Sequence, residues 1–585
     1  MQKTILGAVL IVGLGFAVQA QDEKTQPRFV NAAEEFGLAQ AAPGRIYLHD
    51  LNDDGYPDLI AQVPDSGKGP GNKGGVAQIY MNREGKDGGR EFVLDEDLTL
   101  GHNGKFADDI RHASVFTIVG DVDNDNEPDL LRPAFQEAKD HKDFPDTGER
   151  AGIWLGDIKK GDVKFKQEPG NWAATEAHAT CAAAFVDYDR DGNLDVFLGG
   201  WYVSYGVTYE GHVNRLYKGD GKGAFTDVTE QAGLLTAKAH GEANSSRPTY
   251  GVSVCDYNGD GWQDLVVANY GRQWNRLWHN NGDGTFKDVA PELGVDGDEI
   301  RHGKHPSWAG RADEPPFRAN GNTFSIAPAD FDNDGDIDLF CSEITHGWAG
   351  DSSDLSALLV NNGEEGGFKF TRLVEPFIRE RADKNNWNQG DLMALWGDLD
   401  HDGLLDLVLA SSAYPDNQRL RVFRQTPAHS FEDVTLGWGI DWDICGHIAM
   451  DDLDGDGDLD IVGMGDKRHS KMHEGSVIGV WRNDGAEGNW MRITLEGNKS
   501  KGSNRFAYGA KVWVTVGETT MLREVQSGAG HQGVAPSRTL HFGLGDAKEA
   551  HIRIEWPDKK LTVTEYKGVK PNRHLRIHQT KGIED

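Results

Sequence analysis

The sequence has few positively charged residues and few cysteines. The first shortage limits the kinds of partner it can bind, and the second limits its disulfide bonds. Its 585 residues hold 60 Lys and Arg against 94 Asp and Glu, a formal net charge of −34. With no basic stripe to neutralise phosphates, the composition argues against a nucleic-acid partner. The four cysteines, at positions 181, 255, 341 and 445, are too few and too scattered for a disulfide framework. One or two bridges, or buried free thiols, remain open.

Familiar catalytic signatures and long apolar runs are also scarce. The sequence contains no Gly-x-Ser-x-Gly, no HExxH and no phosphate-binding loop. One apolar run, at residues 5–18, follows Met-Gln-Lys and leads to the small residue Ala20. This order predicts a secretory signal peptide at residues 1–20 rather than a membrane anchor. We therefore expect export to a periplasm, a cell surface or the medium, with no membrane span after cleavage.

What the sequence has in excess is a nine-residue acidic motif that occurs seven times. Asp or Asn stands at positions 1, 3, 5 and 9 of each copy, and Gly or Asn at position 6. Oxygen donors on alternate residues, before a turn that needs a positive φ, are typical of the first part of an EF-hand calcium loop. We number the copies loop 1 to loop 7. Their predicted metal ligands are Asp50, Asn52, Asp54 and Asp58; Asp121, Asp123, Asp125 and Asp129; Asp187, Asp189, Asp191 and Asp195; Asp256, Asn258, Asp260 and Asp264; Asp330, Asp332, Asp334 and Asp338; Asp398, Asp400, Asp402 and Asp406; Asp452, Asp454, Asp456 and Asp460.

Two features distinguish these loops from EF-hands. No copy has the bidentate glutamate at position 12, and apolar, β-prone residues follow position 9, as at 195–198. Strand-like residues also precede the loops, as at 250–255. Each motif is therefore predicted to be the turn of a β-hairpin.

The donor set favours calcium as the cofactor. All donors are oxygens and each loop offers many of them, whereas magnesium would keep more water and zinc would take nitrogen or sulfur. We expect up to seven calcium ions with a mainly structural role. Loops 1 and 4, with Asn at position 3, and loop 2, with Asn126 at position 6, are expected to be the weakest sites.

The spacing of the loops predicts a repeat architecture. Successive starts lie 71, 66, 69, 74, 68 and 54 residues apart, enough for one four-stranded blade per repeat. A second element recurs in phase, at 214–228 and 275–289, and predicts the third and fourth strands joined by a glycine-rich turn. Residues 29–38 are similar to the close of a blade at 225–234. The N-terminal strand is therefore predicted to complete the last blade and to close the ring.

Across residues 28–484 the seven acidic turns and their third and fourth strands resemble the FG-GAP or VCBS repeats of integrin α-chain propellers and many bacterial exported proteins. Beyond Gly488 the period ends, and segments 509–512, 523–528, 541–545 and 555–558 resemble the ASPIC/UnbV domain. The combination is the layout of the cartilage acidic protein family. The resemblance implies an all-β fold with a seven-bladed β-propeller at 21–487, its N-terminal strand at 28–38 completing the last blade, and a small ASPIC/UnbV β-domain at 488–585.

The resemblance also implies a secreted calcium-binding module for adhesion to an extracellular carbohydrate or protein. Because the acidic turns occupy one face of the propeller, the other face should carry the long aromatic loops. Its candidate residues are His112, His178, Trp201, Tyr202, Arg247, His346, Trp348 and Trp387. Two alternatives remain open. One is a polysaccharide lyase or another carbohydrate-active enzyme, with His112, His178 or Arg247 as base or charge stabiliser; the other is a structural component of the envelope.

Overall fold

The computed structural model describes most of the chain. The described residues are 28–63, 76–86, 88–100, 116–133, 152–159, 161–167, 179–235, 247–379, 388–411, 419–443, 445–465, 477–530, 533 and 535–584. The predicted signal peptide at residues 1–20 lies outside them.

Seven antiparallel four-stranded units account for most of the described chain, and we call them blades 1 to 7 after their acidic loops. Strand pairing joins blades 5 and 6 into one eight-stranded sheet, and blade 3 gains a fifth strand from the C-terminal region. The strands are β1 (Phe29–Asn31); in blade 1, β2 (Arg45–His49), β3 (Asp58–Val63), β4 (Val76–Glu84) and β5 (Arg90–Leu100); in blade 2, β6 (Ile118–Gly120), β7 (Asp129–Arg132), β8 (Gly152–Lys159) and β9 (Asp162–Gln167); in blade 3, β10 (Thr180–Val186), β11 (Asp195–Gly200), β12 (Arg215–Gly219) and β13 (Phe225–Asp227); in blade 4, β14 (Thr249–Cys255), β15 (Asp264–Asn269), β16 (Arg276–Asn280) and β17 (Phe286–Asp288); in blade 5, β18 (Thr323–Ala329), β19 (Asp338–His346), β20 (Ala357–Asn361) and β21 (Phe370–Leu373); in blade 6, β22 (Asn388–Gly397), β23 (Asp406–Ser411), β24 (Leu420–Gln425) and β25 (Phe431–Asp433); and in blade 7, β26 (Cys445–Asp451), β27 (Asp460–Gly465) and β28 (Val477–Asn483). Each acidic loop joins the first and second strands of its blade, as the sequence predicts.

Blade 7 takes its fourth strand from the N-terminus. Strand β1 pairs antiparallel with β28, with Phe29 opposite Asn483 and Val30 opposite Arg482. The edge that β28 would otherwise expose is thereby paired with a strand from the other end of the repeat region.

The blades follow one another in a closed cyclic order. The first strands of blades 3 to 7 contact one another in succession, and β26 of blade 7 contacts β2 of blade 1. Blade 2 contacts blade 1 through β9 and β5, and blade 3 through β6 and β10. The all-β, seven-bladed architecture predicted from the repeats is confirmed.

The core lies between neighbouring blades. Ala184 and Phe197 of blade 3, for example, share one buried cluster with Val254 and Leu265 of blade 4. Such residues alternate with others on the opposite side of each strand, because successive side chains of a strand point to opposite faces. All four cysteines belong to described strands, and they are buried thiols without a disulfide bond.

Helices are few and short. They are α1 (Ala290–Leu293) and 3-10 turns at Ser307–Ala309, Pro316–Arg318, Gly347–Ser352, Glu375–Phe377 and Lys499–Lys501. Within the residues that the structure describes, no helix is both long and apolar enough to cross a bilayer.

The C-terminal region forms two further four-stranded sheets, in the orders β33-β29-β36-β37 and β31-β30-β34-β35. Its strands are β29 (Asn489–Glu496), β30 (Lys511–Val516), β31 (Thr519–Glu524), β32 (Ala529–Gly530), β33 (Leu540–Gly545), β34 (Ala550–Glu555), β35 (Val563–Val569), β36 (Arg573–His578) and β37 (Gly582–Glu584). Strands β29 and β36 are parallel, and the other pairs of the two sheets are antiparallel. Met491, Ile493, Phe542 and Ile552 are fully buried in this region.

Candidate metal centres

The backbone of the seven acidic loops turns twice through the left-handed region. Position 6 has a positive φ in every loop, from +73° at Asn126 to +98° at Gly457, as predicted. Position 4 does so as well, from +51° at Arg190 to +84° at Gly455, which sequence reasoning missed. A signal for it exists, because five of the seven position-4 residues are Asp, Asn or Gly, which tolerate this conformation best.

Position 5 closes a small turn in all seven loops. Its Oδ1 accepts a hydrogen bond from the backbone N–H of position 7 at 2.8–3.0 Å, as from Tyr56 to Asp54 and from Asp336 to Asp334. This is the local bond that Asx residues make two positions along the chain. The second carboxylate oxygen of position 5 pairs with a further side chain in four loops: Asn52 in loop 1, Lys218 in loop 3, Asn258 in loop 4 and Arg424 in loop 6.

Position 1 is held from the other side of the turn. In six loops its carboxylate accepts the N–H of position 6 at 2.6–3.1 Å, as Asp187 does from Gly192 at 2.9 Å. Positions 1 and 5 therefore point into one small space around the turn.

Position 9 has a structural role beside its predicted one as a ligand. In every loop one of its oxygens accepts the N–H of a residue on the third strand at 2.7–2.9 Å, as Asp338 does from Asn361. In six loops the other oxygen accepts the N–H of position 2. The position-9 aspartates are buried, and they tie each loop to its own blade.

The third strand also ties each loop to the neighbouring blade. Asn361 of blade 5 donates through Nδ2 to the carbonyl of Tyr257, position 2 of loop 4, at 2.9 Å. Asn280, Gln425 and Asn483 make the same bond to loops 3, 5 and 6. Asn82 of blade 1 makes it to Leu453 of loop 7 at 2.9 Å, so the bond also spans the closure of the ring.

Five loops bring three carboxylates together closely enough to hold one ion. In each, carboxylate oxygens of three aspartates lie within 4.8 Å of one another. The clusters are Asp121, Asp123 and Asp129; Asp187, Asp189 and Asp195; Asp330, Asp332 and Asp338; Asp398, Asp400 and Asp402; and Asp452, Asp454 and Asp460. Several aspartate clusters in this protein could therefore bind metal ions.

Two further observations indicate that these clusters are suited to bind a divalent cation. In loops 2, 3 and 6, which are described in full, the buried oxygens Asp121 Oδ1, Asp189 Oδ1 and Asp398 Oδ1 have no hydrogen-bond donor. Burial, followed by neighbouring carboxylates, raises the pKa of Asp398 to about 7, and burial raises that of Asp338 to about 9. Oxygens that are buried, negatively charged and without donors are costly without a cation, and hard oxygen donors suit Ca²⁺ or Mg²⁺.

The loop face of the propeller also receives the C-terminal region. Arg492 donates to Asp452 and Asp451 at 2.9 Å each. Lys511 Nζ donates to Asp256 Oδ2 at 2.5 Å, and the Gly543 N–H donates to Asp398 Oδ2 at 3.0 Å. Lys499 donates to the Asp191 carbonyl in loop 3, and Arg505 to Asp53 in loop 1. No local sequence signal predicts these contacts, because the donors are scattered along the C-terminal region.

One strand of the C-terminal region enters the ring itself. In β32, Ala529 and Gly530 pair with Ala183 and Ala182 of β10, the first strand of blade 3. From blade 1, Tyr47 Oη donates to the Gly530 carbonyl at 3.2 Å. The C-terminal region therefore contacts the first strands of blades 1 and 3.

The predicted ligand-face residues lie in different environments. Trp201 and Tyr202 are 6% and 4% exposed, and Trp201 packs edge-on against Tyr250. Arg247 donates to the Trp274 carbonyl at 2.6 Å, and burial lowers its pKa to about 9. His112, His178 and Trp387 lie outside the described residues.

His346 and Trp348 are half-buried and stack with their ring centres 5.1 Å apart. Arg311 lies over the same indole at 4.0 Å. This arrangement places an aromatic and basic group beside the turn that follows β19, on the face opposite to the acidic loops.

A cleft opens between blades 4 and 5 on that same face. It has a volume of about 980 Å³, and Arg301, Trp308, Asp351, Lys369 and Arg372 are among its lining residues. Trp308 is 49% exposed, so its indole is available to a partner. Trp308 is not among the ligand-face residues predicted from the sequence.

Comparison with known families and proteins agrees with the repeats and with the C-terminal segments. The FG-GAP-like repeat family matches residues 256–341 and 398–463, and the ASPIC and UnbV family matches residues 500–584. Cartilage acidic protein 1 from Homo sapiens is 26% identical over 371 residues, which cover 60% of this chain and 48% of that protein. The Mus musculus protein is 25% identical over 353 residues, covering 58% and 45%. The chain thus spans about half the length of the curated relatives it matches.

Two solved structures are distantly similar to this chain. The V. cholerae biofilm matrix protein Bap1 is 11% identical with a TM-score of 0.29, over 92% of this chain and 90% of that one. The extracellular domain of a putative one-component system from B. thetaiotaomicron is 11% identical with a TM-score of 0.32, over 77% and 39%. Neither superposition is close enough to inform the site. The chain therefore contains FG-GAP-like repeats and an ASPIC and UnbV domain, and over 60% of its length it is similar to human cartilage acidic protein 1.

Proposed function

We propose that this protein is an exported, calcium-binding β-propeller that acts as a binding module for an extracellular carbohydrate or protein. The observation that supports calcium most strongly is the recurrence of a three-carboxylate cluster in five loops, formed by positions 1, 3 and 9 in four of them and by positions 1, 3 and 5 in loop 6. Calcium accepts six to eight oxygen ligands in flexible geometry, which suits carboxylates fixed by backbone turns. The ions would neutralise a face on which like charges otherwise repel one another.

Calcium in this proposal has a structural role. The aspartate at position 9, one of its predicted ligands, also joins the loop to its own blade, as Asp338 does by accepting the Asn361 N–H. The Asn361 side chain in turn donates to the neighbouring blade. An ion in the loop would fix positions 1, 3 and 5 relative to position 9, and with it the junction between two blades.

The partner would bind on the opposite face. There the cleft between blades 4 and 5 offers the exposed indole of Trp308 beside Arg301, Lys369 and Asp351. An aromatic surface flanked by charged hydrogen-bond donors and acceptors is suited to bind a sugar ring or a protein loop.

The test has two parts. Equilibrium dialysis of the full chain should show several bound calcium ions that chelation removes, and a chain without bound calcium would refute the calcium assignment. The loaded protein should then be retained on at least one member of a panel of soluble polysaccharides and extracellular proteins. Trp308→Ala should abolish that retention, whereas Leu436→Ala, which alters a 63% exposed side chain outside the cleft, should not. Shortening of a polysaccharide would favour the enzyme alternative instead.

A further inference from the structure

Loop 4 combines an amide at position 3 with a buried lysine on position 1, whereas the basic side chains on loops 3 and 6, Lys218 and Arg424, are about one-third exposed. Its position 3 is Asn258, whose Nδ2 donates to Asp260 Oδ2 at 3.0 Å. Asp260 Oδ1 accepts the N–H of Trp262 at 2.8 Å. Both oxygens of the position-5 carboxylate are therefore paired with donors from the loop itself.

A cation from the C-terminal region lies on the position-1 carboxylate of the same loop. Lys511 Nζ donates to Asp256 Oδ2 at 2.5 Å, and these side chains are 7% and 2% exposed. Glu524, the cross-strand partner of Lys511, accepts the Asp256 N–H through Oε2 at 3.2 Å. The two strands β30 and β31 thus hold Asp256 by its side chain and by its backbone.

A divalent ion would have to share Asp256 with this ammonium group. Calcium binds oxygen at about 2.3–2.6 Å, so an ion on Asp256 Oδ2 would lie within about 5 Å of Lys511 Nζ. Two buried cations at that distance repel each other strongly, and a buried lysine cannot turn away into water. On the basis of the calcium role proposed above, we propose that Lys511 is the resident cation of loop 4, which docks the C-terminal region in place of binding calcium.

Loop 7 shows why both features are needed. Arg492 also donates to the position-1 aspartate there, at 2.9 Å, but it is shared with Asp451. Position 3 of loop 7 is the carboxylate of Asp454, which remains clustered with Asp452 and Asp460. Loop 4 instead has an amide at position 3 and a lysine on position 1, and no three of its carboxylates form such a cluster.

Counting calcium in two matched variants of the full chain tests this inference. Asp402→Asn alters position 5 of loop 6, where Asp402 belongs to the three-carboxylate cluster, and should lower the calcium bound per chain by one in equilibrium dialysis. Asp260→Asn makes the same change in loop 4 and should leave the count at the wild-type value. A loss of one ion in Asp260→Asn would overturn the role of Lys511 and leave calcium binding intact. A wild-type chain without calcium would refute the proposed function, and the inference with it.

A gain-of-site variant tests the same point from the other side. Combining Asn258→Asp with Lys511→Met removes the tethered cation and restores the third carboxylate, so the count should rise by one. With terbium as the probe, the tryptophan-sensitised emission should then rise above that of the wild type, and Trp262→Phe should remove the increase. Lys511→Arg with Asn258→Asp is the matched control and should gain nothing. An unchanged count in a variant with the wild-type circular dichroism spectrum would overturn the inference.

Discussion

Removing calcium should lower the melting temperature of the full chain by about 7 °C. Five loops form three-carboxylate clusters. At free calcium tenfold above the dissociation constant, each site stabilises the folded chain by about 1.4 kcal/mol, so five sites contribute about 7 kcal/mol. The unfolding entropy of a chain of this size is about 1 kcal/mol/K, which converts that free energy into the expected shift.

The assay compares calorimetric scans in calcium and in chelator. Extracellular modules bind calcium with dissociation constants of about 10⁻⁴–10⁻³ M, so about 10 mM free calcium is needed to load the sites. Magnesium at the same concentration should restore only part of the shift, because it prefers fewer protein ligands and more water. Asp402→Asn, which removes one carboxylate of the loop 6 cluster, should lose about one fifth of the effect. If chelation moves the transition by less than about 1 °C, the ions are not structural.

Three further predictions concern charge and junctions. Burial raises the pKa of Asp338 to about 9 from an ordinary value of 3.8, so the folded metal-free chain binds protons more tightly than the unfolded chain. The stability of the metal-free chain should therefore fall as pH rises from about 4 towards 9, whereas the stability of the calcium-loaded chain should change less. The gap between the two melting curves should widen from pH 5 to pH 8, and a constant gap would contradict this. Asn361→Ala leaves two buried carbonyls without a donor and should cost about 1–3 kcal/mol in denaturant unfolding, whereas the exposed Asn362→Ala should cost less than about 0.5 kcal/mol. Arg492→Ala should cost about 3–5 kcal/mol by leaving Asp452 unpaired, and Arg492→Lys, which keeps the charge, should recover part of that loss.

Local chemistry made the repeat architecture predictable. The glycines and asparagines at position 6 and the apolar runs after position 9 encode turn and strand within a few residues, and the structure has both at every loop.

The double role of position 9 was not predictable in the same way. The sequence does not distinguish an aspartate that binds a metal from one that accepts backbone N–H groups. The second role becomes visible only in the structure, where third-strand N–H groups donate to position 9. Trp201 and Tyr202 show the same limit. Their loop position suggested exposure, but packing against residues of the next blade buries them.

The docked C-terminal region determines which face remains for a partner. It contacts loops 1, 3, 4, 6 and 7 by hydrogen bonds and adds a strand to β10 inside the ring. A ligand that approached the acidic face would have to displace buried ion pairs such as Arg492–Asp452, whose separation leaves both charges unpaired. On the opposite face, the cleft with Trp308 is open to solvent. Deleting the C-terminal region should therefore change calcium affinity at the acidic loops, while substitutions in the cleft should change partner binding alone.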